Sequence, residues 1–164
     1  MEPLERRFTI VMVDDNPDDY YLVKDALEEN ALRCDVRLVA DAKELLDYLY
    51  QMGPCANPER ATQPDLILLY MSTPQNDAWE GVVAIKSDPS LRWIPIVVVN
   101  GSKKFEDITR CYESGARSYI PLPETFESLV EVIDTTVKYW MTVVKLPGFD
   151  WQSGPGTLEL PAAV

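Results

Sequence analysis

Two groups of residues could carry chemistry at the ends of predicted strands. Asp14 and Asp15 follow one apolar run, and Tyr70 ends another. Adjacent carboxylates can hold a divalent cation that prefers oxygen ligands, or they can simply be solvated acids that favour the positive end of a following helix. A phenol with an ordinary pKa of about 10 is neutral at pH 7 and adds no charge for a cation. The chain has no histidine, which removes the commonest general base and metal ligand.

The stretch that positions Tyr70 runs from Pro64 to Trp79. Residues 65–69 are an apolar run of strand length, bounded by Pro64 and by the polar turn of residues 71–74. This pattern is typical of a strand that is buried on both faces. The residue at the carboxyl end of a central parallel strand faces the crevice in which open α/β sheets bind their ligands. Tyr70 is therefore expected at the functional site.

Five apolar runs alternate with five helical patterns. The predicted strands cover residues 8–13, 35–40, 65–70, 94–99 and 117–120, and the predicted helices cover about 17–30, 41–49, 79–87, 105–114 and 124–145. Asn16 is expected to cap helix 1, Asp41 and Glu44 to form a capping box, and Gly115 to end helix 4. Helix 1 is expected to bury Tyr21, Leu22, Ala26 and Leu27. The alternation predicts an α/β protein with three layers around a five-stranded, doubly wound parallel sheet.

Composition excludes several classes of function. The 164 residues suit one domain with a short extension, and a net charge of −12 opposes binding to nucleic acid or to an anionic membrane surface. The apolar runs are too short to span a bilayer, and the first residues lack a secretory signal. Without such a signal, the odd number of cysteines (Cys34, Cys55 and Cys111) indicates reduced thiols in a cytoplasmic protein.

Helix 5 carries more apolar residues than one buried stripe requires. One set extends from Phe126 to Val144 at helical spacing, and a second set contains Val132, Tyr139, Val143 and Leu146. A surface helix typically has a single apolar stripe, so the second set is expected to be covered. We predict a homodimer through helix 5 in which residues 147–164 embrace the neighbour; the alternative is a tail that is folded back on its own helix or is disordered. The predicted interface residues are Val132, Tyr139, Trp140, Val143, Phe149 and Trp151.

Four sequence features together resemble the receiver domain of bacterial response regulators over about residues 8–145. They are the acidic pair at 14–15, DLILLYMSTP at strand 3, VVVNGS at strand 4 and GARSYIPLP around strand 5. The resemblance implies a flavodoxin-like sheet of order 2-1-3-4-5, with a receiver domain at residues 1–146 and an arm at 147–164. The loop 53–62, the segment DPSLRWIPIVVV and Tyr139-Trp140 are similar to stand-alone receivers that partner bacterial phytochromes, which implies a phytochrome-like histidine kinase as partner.

The resemblance also implies a role for each site position. In that family a phosphoryl group from a histidine kinase passes to an aspartate at the position of Tyr70, and Mg²⁺ is held by the acidic pair and the carbonyl group of Ser72. A hydroxyl residue at the position of Asn100 and a lysine at the position of Leu122 grip the phosphate. Tyr119 matches an aromatic residue that turns inward on activation. An acyl phosphate requires a carboxylate, so these substitutions predict a receiver that cannot form the usual aspartyl phosphate.

Three functions compete on this sequence. The first is an atypical response regulator of a two-component phosphorelay that acts through protein contacts and is not an enzyme. The second is a phosphorylation-independent, dimeric scaffold or decoy that binds a kinase or another regulator. A phosphatase-type enzyme is a remote third, because such enzymes usually need Asp-x-Asp spacing whereas Asp14 and Asp15 are adjacent. Fold alone also allows a flavin module, but no phosphate-cradling loop follows strand 1.

Overall fold

The computed structural model describes residues 8–29, 32, 34–50, 63–71 and 76–146. The elements in chain order are β1 (Phe8–Val13), α1 (Pro17–Glu29), β2 (Cys34–Val39), α2 (Ala42–Leu49), β3 (Leu66–Met71), α3 (Asn76–Ser87), β4 (Ile96–Asn100), α4 (Phe105–Ser114), β5 (Ser118–Pro121) and α5 (Phe126–Lys138), which continues as a π-helical segment (Tyr139–Val143). Within these ranges, no helix has both the length and the apolar character that crossing a membrane requires.

The strands form one parallel sheet of order β2-β1-β3-β4-β5, which confirms the predicted fold. Every residue of β3 and β4 is buried, as expected for central strands covered on both faces. One face packs on α2 and α3, with Cys111 of α4 in the same cluster. The other face packs on α1 and α5, whose buried residues include Val23, Ala26, Leu129 and Ile133. Because β1 and β3 are adjacent and parallel, their carboxyl ends lie side by side.

The predicted helix ends are found with their hydrogen bonds. Asn16 Oδ1 accepts from the Asp18 N–H at 3.0 Å, and Asp41 Oδ1 accepts from the Glu44 N–H at 2.8 Å. These bonds satisfy amide groups that have no partner within the helix. Gly115 ends α4 with φ of 105°, a left-handed conformation that glycine adopts without steric cost.

The burial predicted for α1 is wrong in part. Tyr21 and Leu22 are 58% and 40% exposed, whereas Val23 is buried together with Ala26 and Leu27. Tyr21 instead makes an edge-on ring contact with Tyr20 at 5.3 Å between centroids. The apolar residues of α1 could form more than one buried stripe along the helix. Packing on the sheet buries the stripe that contains Val23.

Two helices have other bounds than the sequence predicts. α3 begins at Asn76, three residues before the predicted start, and α5 ends as an α-helix at Lys138 rather than near 145. Five further residues continue α5 as a π-helix. This wider turn brings Trp140 and Met141, which are adjacent in sequence, against the same core cluster. Such a change of helical register is invisible to a search for 3.6-residue periodicity.

The contact between α2 and α3 gives a test of the packing that holds this face. A Cβ atom at Gly81 would lie 2.9 Å from Ala42 Cβ, closer than two methyl groups can approach. We expect Gly81→Ala to lower the free energy of unfolding by about 1–3 kcal/mol, although alanine alone would favour the helix by about 1 kcal/mol. Urea unfolding measures the change. Adding Ala42→Gly removes the clash, so the double variant should lose less unfolding free energy than the two single variants lose together. A loss equal to their sum would contradict the contact.

Candidate functional site

The site lies at the carboxyl edge of the sheet, where β1 and β3 end. Val13 is in register with Leu69, so the next residues along each strand, Asp14 and Tyr70, are neighbours. A cavity of about 100 Å³ opens between them and the start of α2 and α3. Its polar lining comes from Asp14, Asp15, Tyr70, Asp41 and Asp77. The structure thus brings the predicted acidic pair and Tyr70 together and adds two carboxylates that the sequence reading did not assign to the site.

Tyr70 fills the space at the end of β3. Its side chain is 5% exposed and belongs to the apolar cluster under α1 and α5. Burial raises the pKa of the Tyr70 phenol to about 12, and the nearby carboxylates of Asp19 and Asp14 add to this shift. Tyr70 is therefore a neutral aromatic group at any physiological pH, packed among core residues and close enough to Asp19 and Asp14 to feel their charge.

The surroundings of Asp14 disfavour the charged form of its carboxyl group. Asp14 is 7% exposed. Its Oδ1 accepts from the Asn16 N–H at 3.0 Å, while its Oδ2 has no hydrogen-bond partner among the described residues. Burial raises the pKa of the Asp14 carboxyl to about 7, helped by the neighbouring Asp19 and Asp15 and opposed by the Asn16 N–H. Desolvation and like charge both disfavour its anionic form.

Asn100 ends β4 beside β3 and is fully buried. Its Oδ1 accepts from the Ser102 N–H at 2.8 Å, which fixes the orientation of the amide and leaves Nδ2 as a donor without a partner among the described residues. The Asn100 carbonyl accepts from the Leu122 N–H at 2.8 Å. Leu122 is half-buried and packs against the same cluster as Tyr70.

Tyr119 lies on β5 with its ring packed against the core on the α4 side. Its hydroxyl donates to the Ser102 carbonyl at 2.6 Å, and its N–H donates to the Tyr112 hydroxyl at 3.2 Å. Ser102 is in turn hydrogen-bonded through its hydroxyl to Asp107. Side-chain and backbone contacts therefore tie β5 to the loop after β4 and to α4. The sequence reading had no signal for Ser102 as the centre of this network.

The predicted interface residues on α5 occupy different surroundings. Tyr139 and Val143 are 49% and 70% exposed, whereas Val132 is half-buried. Trp140 packs against the core of its own chain and meets Tyr139 edge-on at 5.2 Å between ring centroids. Ser72, Phe149 and Trp151 lie outside the described residues, as does the arm at 147–164.

Residues 10–134 match the model of the response regulator receiver domain. The chain belongs to this family. The receiver is 28% identical to the response regulator Rcp1 of Synechocystis over 138 residues, which are 84% of this chain and 92% of Rcp1. It is 30% identical over 146 residues to the probable methanogenesis regulatory protein FilR2 of Methanothrix harundinacea, covering 88% of this chain and 90% of that protein.

Solved structures of phytochrome-associated response regulators share the receiver fold. The phosphorylated cyanobacterial phytochrome response regulator RcpA aligns with a TM-score of 0.76 and 34% identity, covering 87% of this chain and 99% of RcpA. The bacteriophytochrome response regulator RtBRR aligns with a TM-score of 0.66 and 28% identity, covering 90% of this chain and 89% of RtBRR. The protein is a response regulator receiver of two-component signalling, and phytochrome-associated regulators are among its relatives.

The Mg²⁺ that the family implies does not fit the donors of this receiver. Among the described residues, no group of three acidic, histidine or cysteine side chains converges as a metal site. Asp14 has an oxygen without a hydrogen-bond partner among the described residues, but burial disfavours its charged form, and the neighbouring Tyr70 phenol is neutral and adds no charge for a cation. Mg²⁺ requires oxygen ligands that carry charge and approach octahedral geometry.

Proposed function

We propose that this receiver signals without an aspartyl phosphate, through contacts with other proteins, and has no catalytic activity of its own. The observation that carries the proposal is the buried, neutral Tyr70 at the end of β3, where the family resemblance expects the acceptor aspartate. A phenol cannot form an acyl phosphate. The substitution at Leu122 supports the same reading, because a leucine side chain has no charge to offer a phosphoryl dianion, whereas the Asn100 amide keeps its Nδ2 as a donor.

The position of Tyr119 supports a receiver that stays in one state. The resemblance assigns to this residue an inward turn on activation, and here the ring already packs against the core while its hydroxyl bonds the Ser102 carbonyl. In the proposed function no phosphoryl group is needed to draw the side chain inward. Partner proteins would bind a surface that does not change on phosphorylation. Signalling would then depend on the amount of the receiver and on the proteins with which it assembles.

The proposed partner is a sensor histidine kinase of the phytochrome class. The support is the likeness to RcpA, which is described as a phytochrome response regulator, and to the bacteriophytochrome regulator RtBRR. In this proposal the receiver binds its kinase but accepts no phosphoryl group from it. Residues 1–146 form the receiver and residues 147–164 act as an arm.

The direct test is incubation of the full-length protein with acetyl phosphate and Mg²⁺, followed by intact mass measurement. We expect no phosphoryl adduct, because Tyr70 is buried and its pKa of about 12 keeps it protonated. RcpA under the same conditions serves as the positive control, since its structure is that of a phosphorylated protein. A stoichiometric adduct that is labile to hydroxylamine would show an acyl phosphate and would refute the proposal.

A dimeric scaffold is the second candidate, favoured by the exposed apolar side chains of Tyr139 and Val143 at the end of α5. Contiguous exposed apolar patches mark contact surfaces, and these two residues lie four positions apart on one helical segment. We expect the full-length protein to sediment as a dimer and Val143→Glu to shift it to monomer, because the substitution places a charge in the contact. Val83→Glu on α3, where Val83 is 48% exposed, is the matched control and should leave the dimer intact. A monomeric wild-type protein would remove this candidate.

A further inference from the structure

The cavity at the carboxyl edge of the sheet is lined by acids from three segments of the chain. Asp14 and Asp15 follow β1, Asp41 caps α2, and Asp77 lies in the first turn of α3. Neither lysine nor arginine is found among the described residues that line this cavity. The whole chain carries a net charge of −12, and such a field raises the local concentration of cations. The charged part of the described lining is therefore entirely negative.

Asp14 contributes a buried hydrogen-bond acceptor to this cavity. Its side chain is 7% exposed, and its Oδ2 is buried without a hydrogen-bond partner among the described residues. Its Oδ1, by contrast, already accepts from the Asn16 N–H. A buried polar group that is left unpaired costs about 1–3 kcal/mol, and more when it is charged. A donor that enters the cavity would remove this cost, so Asp14 points to a ligand that donates hydrogen bonds.

The rest of the cavity is apolar, and its volume is small. The apolar lining comes from buried side chains of the strands and of α3, namely Val13, Leu69, Met71 and Ala78. The volume is about 100 Å³, whereas pockets for drug-sized ligands usually measure about 300–1,000 Å³. The cavity therefore suits the head group of one side chain rather than a whole small molecule.

A cation for this cavity has to tolerate apolar neighbours. Mg²⁺ gives up its water reluctantly and demands near-octahedral ligands, and an ammonium group is also strongly hydrated. A guanidinium group is weakly hydrated and planar, and it carries five N–H donors in a fixed fork. Its flat faces can lie against apolar or aromatic groups, and Tyr70 lines the same cavity. The donor set and the lining therefore favour a guanidinium over the other two cations.

We propose that the acidic cavity binds an arginine side chain of a partner protein, whose guanidinium donates to Asp14 Oδ2 and to the exposed carboxylates of Asp15 and Asp77. This inference rests on the proposed function, in which the receiver acts through protein contacts, and it names the chemistry by which a partner is held. Hydrogen bonds between ionised groups are about twice as strong as neutral ones, and arginine is enriched among the residues that dominate binding at interfaces.

Titration of the isotope-labelled, full-length protein with N-acetyl-arginine amide, followed by NMR, tests the site. We expect saturable shifts of the backbone amide signals of Asp14 and Tyr70. N-acetyl-citrulline amide has nearly the same shape but no charge and should cause no saturable shift. N-acetyl-lysine amide should bind about threefold more weakly or worse, because its ammonium is more strongly hydrated. Equal binding of either control compound would overturn the assignment of a guanidinium site.

Two charge-removing variants on α3 show whether the arginine amide binds in the cavity. Asp77→Asn removes a carboxylate of the cavity, and we expect it to weaken binding about threefold or more. Glu80→Gln removes the same charge from an exposed residue that does not line the cavity, and it should change the affinity by less than about twofold. Circular dichroism confirms that both variants are folded. Equal effects of the two variants would mean that the amide binds the negative surface in general, and would refute the site.

The arginine titration and the acetyl phosphate test can fail separately. A receiver that takes up no phosphoryl group and shows no saturable shift with the arginine amide would contradict this inference alone and leave the proposed function in place. Uptake of a phosphoryl group would refute the proposed function, whatever the result of the titration.

Discussion

A variant that carries Tyr70→Asp and Leu122→Lys is expected to take up a phosphoryl group from acetyl phosphate and Mg²⁺, where the wild-type protein takes up none. Aspartate at position 70 supplies the carboxylate that an acyl phosphate requires. It also places a third acid beside Asp14 and Asp15, and three carboxylates form a far better magnesium site than two. Lysine at position 122 contributes a positive charge for the transferred group. Intact mass measurement should show one added phosphoryl group per chain, labile to hydroxylamine.

The matched control replaces the nucleophile while keeping the size and polarity of the new residue. Tyr70→Asn with Leu122→Lys should remain unmodified, because an amide cannot form the acyl phosphate. Both double variants leave the space of the tyrosine ring unfilled, and circular dichroism of each variant shows whether folding explains a difference between them. Failure of the folded aspartate variant to accept phosphate, even with Asn100→Thr added, would show that position 70 is not the acceptor position.

Removing the ring of Tyr70 is expected to have the largest effect on stability at the site. Tyr70 is 5% exposed and packs in the cluster under α1 and α5, and truncation of a buried aromatic residue to alanine costs about 3–5 kcal/mol. Tyr70→Phe keeps the ring and should change the free energy of unfolding by less than about 1 kcal/mol, because no hydrogen bond of the Tyr70 hydroxyl is seen among the described residues. Urea unfolding at pH 7 measures both variants.

The pair of substitutions separates a space-filling role from a polar one. If Tyr70→Phe were as destabilising as Tyr70→Ala, the hydroxyl rather than the ring would be the group that stabilises the fold. If neither variant lost stability, the ring would not be packed as described. The expected outcome, a large loss for alanine alone, assigns Tyr70 to the core.

The sequence sufficed for the fold because each element has a local signal of its own. The apolar runs of β3 and β4, the Asn16 cap and the left-handed Gly115 all follow from rules that act over a few residues. The errors lie where packing decides between local alternatives. On α1, packing on the sheet buries Val23 rather than Leu22, and at the end of α5 the π-helical segment carries Trp140 against the core.

The site was predictable in its position but not in its contacts. Tyr70 and Asp14 are neighbours because the carboxyl ends of adjacent parallel strands must meet. The sequence analysis does not assign Asp19 to the site, yet Asp19 raises the pKa of both Asp14 and Tyr70. Its approach depends on how α1 leaves the loop after β1. Likewise, the bond from the Tyr119 hydroxyl to the Ser102 carbonyl joins residues 17 positions apart, and no short-range pattern encodes it.

At the opposite end of the strands, Asp65 joins β1 and β3 by two bonds. Its N–H donates to the Thr9 carbonyl at 2.8 Å, and its carboxylate accepts from the Thr9 N–H at 2.8 Å. This reciprocal clamp fixes the two central strands far from the crevice. Substitutions at the carboxyl edge therefore leave this tie between the two central strands in place, so the sheet keeps one of its anchors when the residues around Tyr70 are changed.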